Sequence, residues 1–254
     1  MPSTPDTVTI KVRQLSASAS DADIESATRV MGDAFRGDVF TSFTAGESTP
    51  TDGKDRSSES LVPALHRAQI RAALIGGRVY VAEVAEVNDA IVGAAVWFGP
   101  GEDLLGSPGQ AEAGFNQFME ALGKRDPDMP AWWMTYVRVH SSGFLPKYSA
   151  FTTEALGDAR FKHDGWHLQL IGVVPAYQRH GVGSALVAFV EQQTKNDAEA
   201  PRSSLKMSVE TETESALMFY KSLGFIERGR TTIESTQKLA VTVPMWCLSK
   251  DLSA

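Results

Sequence analysis

The fold turns on one stretch of the chain: Leu168-Gln169-Leu170-Ile171-Gly172-Val173-Val174-Pro175-Ala176-Tyr177-Gln178-Arg179-His180-Gly181-Val182-Gly183-Ser184-Ala185-Leu186. The apolar run ending at Pro175 reads as a buried strand, and the turn behind it opens a helix at Gly181-x-Gly183. Two glycines there let the backbone approach a ligand closely. They leave amide N–H groups from about Arg179 to Ser184 without helical partners. With the positive end of the helix dipole behind them, those amides form an anion site suited to a pyrophosphate. Glycine pairs also open helices that bind nothing, so plain packing stands beside that reading. Two other phosphate motifs are excluded. No Gly-Lys-Ser/Thr follows, which removes the P-loop, and position 186 is Leu where a dinucleotide fold needs its third glycine.

Outward from this stretch the pattern is regular. It predicts strand 166–174, helix 181–195, strand 204–210, helix 213–223, strand 225–233 and strand 239–248. A strand-helix-strand unit whose second strand returns parallel implies a right-handed crossover. Upstream, Val8–Leu15 alternates like a strand, and Ser20-x-x-Asp23 reads as a cap for a helix carrying Ile24, Ala27, Val30, Met31, Ala34 and Phe35. Residues 41–60 hold nine Ser/Thr with Gly, Pro and Asp, which predicts a mobile loop. Pro63 suits the first turn of a helix that stops at Gly76-Gly77, and strands Arg78–Val84 and Ile91–Phe98 follow around an Asn88-Asp89 hairpin.

Residues 99–165 differ. A helix is predicted from Pro108 to Leu122, and aromatics gather: Phe115, Phe118, Trp132, Trp133, Tyr136, Phe144, Tyr148, Phe151 and Phe161. They fit a helical insertion with its own small core, and some of the rings could instead line an acceptor pocket. The whole, 1–254, reads as a single α/β domain with a mixed sheet and no linker to divide it.

Composition narrows the function. Lys and Arg number 24 against 31 Asp and Glu in 254 residues, a net charge of −7, which argues against nucleic acid as the main partner. With 43% hydrophobic and 22% charged residues the chain is neither disordered nor a membrane protein. The single cysteine, Cys247, excludes an internal disulfide framework and a cysteine zinc site. His163 and His167 lie four apart near a strand start, a spacing that does not offer both to one ion, so no metal is expected. The first residues show no apolar leader. A cytoplasmic protein is the expectation, with the nucleus as the alternative.

Val173-Val-Pro-Ala-Tyr-Gln-Arg-His-Gly-Val-Gly-Ser-Ala-Leu resembles motif A of the GNAT N-acetyltransferase superfamily, whose core is Gln/Arg-x-x-Gly-x-Gly/Ala. Ser215-Ala-Leu-Met-Phe-Tyr220-Lys-Ser-Leu-Gly-Phe225 resembles its motif B, and the intervening strand Leu205–Glu210 matches too. The resemblance implies a GNAT fold: a mixed, mainly antiparallel central sheet flanked by helices, here with an enlarged helical insertion. It implies acetyl-CoA, with the backbone amides of Arg179, His180, Gly181, Val182, Gly183 and Ser184 on the pyrophosphate behind Gln178. By the same carry-over the Val173 amide meets the pantetheine or the thioester carbonyl, where it could stabilise an oxyanion. Thr213 stands where the family often has Asn, and its shorter hydroxyl puts that cofactor contact in question.

The resemblance places the general acid at Tyr220, for which a plain core aromatic is the other reading. It places the base at His167, eleven residues before Gln178, where a histidine of ordinary pKa suits proton transfer near neutrality. Glu210 is the second candidate, directly or through water. Cys247 sits in the apolar strand Val241–Leu248 and reads as an inert thiol. The expected reaction is direct acetyl transfer to a primary amine of a small molecule in a ternary complex. A protein N-terminus or lysine as acceptor, and a non-catalytic acyl-CoA sensor, are the alternatives.

Overall fold

The structure is a computed structural model and describes residues 8–47, 60–88, 90–139, 142–197, 202–236 and 238–253. Seven strands, β1 (Ile10–Leu15), β2 (Arg78–Val84), β3 (Ala90–Phe98), β4 (Trp166–Val173), β5 (Lys206–Thr211), β6 (Ile226–Ser235) and β7 (Val241–Asp251), form one sheet in the order β1-β2-β3-β4-β5-β7-β6. Every neighbouring pair is antiparallel except β4–β5. The expected mixed, mainly antiparallel sheet is therefore what the chain forms.

Helices cover both faces, which is why β3 reads as an unbroken apolar run and is buried from Val92 to Phe98. On one face α1 (Asp21–Ala34) and α3 (Val62–Gly76) pack Ile24, Met31 and Ile70 against Val79, Val96 and Leu170. The other face carries the crossover helix, whose Leu186 and Val190 meet Tyr80, Trp97 and Met207. The predicted start of α1 holds: Ser20 Oγ accepts from the Asp23 N–H at 3.1 Å.

Two expectations need correction. The loop expected over 41–60 begins as helix α2 (Val39–Thr44). Asp38 caps it by accepting from the Thr41 N–H at 2.6 Å, and the Thr44 hydroxyl bonds back to the Phe40 carbonyl at 2.9 Å, so these residues are spent inside a turn of helix. Residues 48–59 lie outside the described residues. The insertion also lacks a core of its own. Its helix runs through a π turn at Ala111–Phe115 into α4 (Asn116–Arg125), and α5 (Phe144–Leu156) follows. Phe115, Phe118, Trp133 and Phe144 share one cluster with Phe43 of α2, Leu65 of α3 and Met245 of β7. Trp133 Nε1 donates to the Thr44 carbonyl at 2.9 Å, tying the insertion to α2.

Candidate active site

β4 and β5 pair over three residues only, Trp166 with Met207, His167 with Ser208 and Leu168 with Val209. Beyond Leu168 they part. A bulge sits at the same point, because Val96 pairs Leu170 and Trp97 pairs Leu168, leaving Gln169 as the extra residue. The extra residue turns Leu170 to the opposite face from Leu168, into the packing of α1 and α3. Between the parted strands runs a cleft of about 810 Å³.

One end of the cleft is made of backbone. Val174 donates to the Val92 carbonyl at 2.9 Å. Antiparallel alternation then turns the N–H and C=O of the preceding Val173 away from β3, into the gap. Gln178 Nε2 donates to that carbonyl at 3.1 Å. Arg179 and Gly181 adopt φ of +65° and +86°, which bends the chain into the N-terminus of α6 (Val182–Asn196). A Cβ on Gly183 would stand 3.1 Å from the Phe219 ring, so the close approach of helix and wall favours glycine. Val173, Gln178, Arg179, Gly181, Val182, Gly183 and Ser184 all line the cleft. His180 does not; its Nδ1 donates to the Gln178 carbonyl at 2.9 Å and steadies the turn. Unpartnered amides at a helix start, two left-handed residues and a guanidinium at the rim fit a pyrophosphate group. Thr213 lines the cleft as N-cap of α7 (Glu214–Ser222), its Oγ1 accepting from the Ala216 N–H at 3.2 Å.

The two proposed bases, His167 and Glu210, lie against each other, and the proposed acid comes from α7. Tyr220, on α7, lines the cleft, and burial followed by the charges of Glu212 and Glu210 raises its pKa, which keeps the phenol protonated. Glu210 also lines it, yet its carboxylate is engaged behind the wall. Tyr148 of α5 donates to it, and Lys162 Nζ lies 3.2 Å from the same oxygen and 2.8 Å from the Tyr148 hydroxyl. Burial would raise the Glu210 pKa, but Lys162 and these hydrogen bonds outweigh it and hold it below the usual value. His167 does not line the cleft. Its Nδ1 meets Ser208 Oγ at 3.3 Å and its Nε2 lies 3.6 Å from Glu210. Burial and the nearby Lys162 push its pKa down to about 3, so the ring is neutral. Cys247 is buried, its Sγ 3.7 Å from Glu210 Oε1, and burial raises its pKa.

The other end of the cleft is made of side chains absent from the sequence expectations: Phe35, Asp38 and Phe40 around the α1–α2 link, His66 and Gln69 on α3, and Glu212 just past β5. None of the nine insertion aromatics lines the cleft. Burial pushes the Glu212 carboxyl up to about 8, with the charges of Asp38 and Glu210 adding to it. His66 is fully buried, and burial pushes its pKa down to about 4. Glu212 was reachable from the sequence as the next same-face residue after Glu210; Asp38 and His66 come from distant helices and carried no signal.

Residues 146–245 match the family model described as the acetyltransferase (GNAT) domain. Among solved structures the chain is similar to a Drosophila melanogaster polyamine N-acetyltransferase, at 14% identity and a TM-score of 0.52, over 96% of this chain and 100% of that one. It is also similar to a protein from Corynebacterium glutamicum described as histone acetyltransferase HPA2 and related acetyltransferase, at 21% identity and 0.50, over 94% and 95%. A mosquito arylalkylamine N-acetyltransferase like 5b follows at 11% and 0.50, over 94% and 100%. No curated protein matches the sequence. Likeness at these identities shows the fold, and the family match covers the stretch that holds the splayed strands and the helix-start cradle: residues 146–245 carry an acetyltransferase (GNAT) domain, and enzymes with that domain draw their acetyl group from acetyl-CoA.

Proposed function

We propose that this enzyme moves an acetyl group directly from acetyl-CoA to a primary amine of a small molecule, with both substrates bound at once. The observation that carries the reading is the continuity of the cleft. It joins a backbone cradle suited to a pyrophosphate with an end walled by Phe35, Phe40, Asp38 and Glu212, where rings and carboxylates suit a protonated amine. When bound, acetyl-CoA supplies a thioester carbonyl open to attack by nitrogen. The amides of Gly181 to Ser184 and the Arg179 guanidinium would hold its pyrophosphate, and the Val173 N–H faces the gap, where it would meet the thioester carbonyl.

Tyr220 is the acid in this reading, since its protonated phenol lines the cleft and can give a proton to the departing sulfur. His167 and Glu210 act as positioning groups: the first is neutral behind the wall, and the second is already paired with Lys162. Two proteins sharing the fold are named for polyamine and arylalkylamine acetyl transfer, in keeping with an amine acceptor. The test is thiol release from acetyl-CoA across a panel of small amines. Turnover with at least one, absent in Gly181→Asp, supports the reading. Acetyl-CoA binding with no thiol release from any amine would leave a sensor instead.

A further inference from the structure

Glu212 has a carboxylate facing the cleft, and apart from its own backbone N–H no described group donates a hydrogen bond to it. Glu210, two residues earlier, is satisfied by Lys162 and Tyr148; Glu212 has no such partner. A second observation at the same end points to a missing ligand. His66 is 0% exposed and lines the cleft, and its Nε2 has no hydrogen-bond partner among the described residues. Its Nδ1 lies 3.3 Å from Gln69 Oε1, and with the ring proton placed on Nδ1 to make that bond, Nε2 is left a bare lone pair. Buried polar atoms are rarely left unpaired, and a lone pair and a carboxylate both ask for a donor. An ammonium is a donor on every side.

We propose that Glu212 receives the proton of the acceptor's ammonium, with Asp38 and His66 holding that ammonium at the same end of the cleft. The inference rests on the amine-acetyltransferase reading and deepens it. The acceptor is a protonated primary amine without a neighbouring carboxylate, because Asp38 and Glu212 would repel one. One N–H proton passes from the ammonium to a Glu212 oxygen. The nitrogen lone pair this frees forms the C–N bond of the amide as the C–S bond of the thioester breaks. The second N–H proton ends on the sulfur, by way of Tyr220, and Glu212 returns its proton to water. The groups around Glu212 are Arg36 and Asp38 from the α1–α2 link, His66 from α3, Arg179 from the α6 turn, Glu210 with Lys162 and Tyr148 behind it, and Tyr220. Arg36 lies 2.8 Å from Asp33, so its charge is already matched.

The experiment compares wild type with Glu212→Gln, using acetyl-CoA and the best acceptor among 1,4-diaminobutane, agmatine and 2-phenylethylamine. In wild type, kcat/KM should climb with pH through an apparent pKa near 8, the range in which this carboxyl ionises. The variant should lose that limb and at least about a hundredfold in kcat, with acetyl-CoA affinity within about twofold of wild type. A readout independent of turnover is the carboxyl titration followed by NMR in protein labelled at glutamate Cδ. One resonance should titrate well above the rest in wild type and be missing from the variant. A variant that keeps both kcat and the pH limb, or a wild type with no such resonance, overturns the assignment of Glu212 alone. A wild type that releases thiol with none of the three amines overturns the reading beneath it. Should the variant fold poorly, Glu212→Asp serves: it keeps the carboxylate at a shorter reach, and should retain the pH limb with a reduced kcat.

Discussion

The two ends of the cleft are built from different material. The cradle consists of backbone, held by two left-handed residues and a glycine set close against the Phe219 ring. The acceptor end consists of side chains brought from α1, α2, α3 and the tip of β5. A site made of backbone leaves its trace in consecutive residues, since the conformation demands glycine at fixed places. A site made of side chains leaves no local trace, because any scaffold position facing the gap can supply the group. The comparison also explains why a cradle can serve many acceptors: its chemistry is independent of what lines the opposite end.

The largest expected effect falls on the side-chain end and on stability. Lys162 is 22% exposed and Glu210 4%, so Lys162→Met would leave a buried carboxylate without its cation, costing about 3 kcal/mol. The sign with pH follows from the direction of the shift. Glu210 is held below its ordinary 4.5 in the folded protein, so its pairing stabilises above that value and the benefit fades as pH falls through the folded pKa. Denaturation of Lys162→Met should therefore show its deficit at neutral pH and a narrower gap in acid. An equal deficit at all pH values would mean the pair is not the cause.

Next comes Tyr220→Phe, which removes the proton that the reading assigns to the leaving sulfur. It should lower kcat roughly ten- to a thousandfold with an acceptor for which chemistry is rate-limiting. Unchanged kcat would return Tyr220 to the core beside Phe225, whose ring lies 5.8 Å away. Smallest is Cys247→Ala. The thiol is buried and faces Glu210, outside the cleft, so turnover should persist. Acetylated Cys247 detected by mass spectrometry in acceptor-free enzyme would break the direct-transfer reading.

Legibility in the sequence followed the same division. The strands, the crossover helix and the mixed sheet were readable from 166 to 248, because periodicity and the glycine pair are local. The bulge at Gln169 was not, since it depends on how β3 and β4 register. His167 looked like a base because a histidine near a splayed strand suits the task; only packing against Ser208 and Glu210 shows it buried and neutral. The insertion's aromatics read first as a small core and second as a pocket; none lines the cleft, and Phe115, Phe118, Trp132, Trp133, Tyr136 and Phe144 pack into a core shared with α2 and β7. Asp38 lies just before the predicted loop and carried no reading of its own, yet it both caps α2 and borders the cleft.

The division between the two ends is tested most directly by calorimetric titration of acetyl-CoA into wild type, Gly181→Asp and Glu212→Gln. Gly181→Asp puts a side chain at φ +86° and a negative charge in the cradle proposed for the pyrophosphate. It should weaken binding at least about tenfold, or 1.4 kcal/mol, while Glu212→Gln binds as wild type does. Unchanged affinity in a folded Gly181→Asp would contradict the account at its cradle, and an equal loss in both variants would contradict the independence of the two ends.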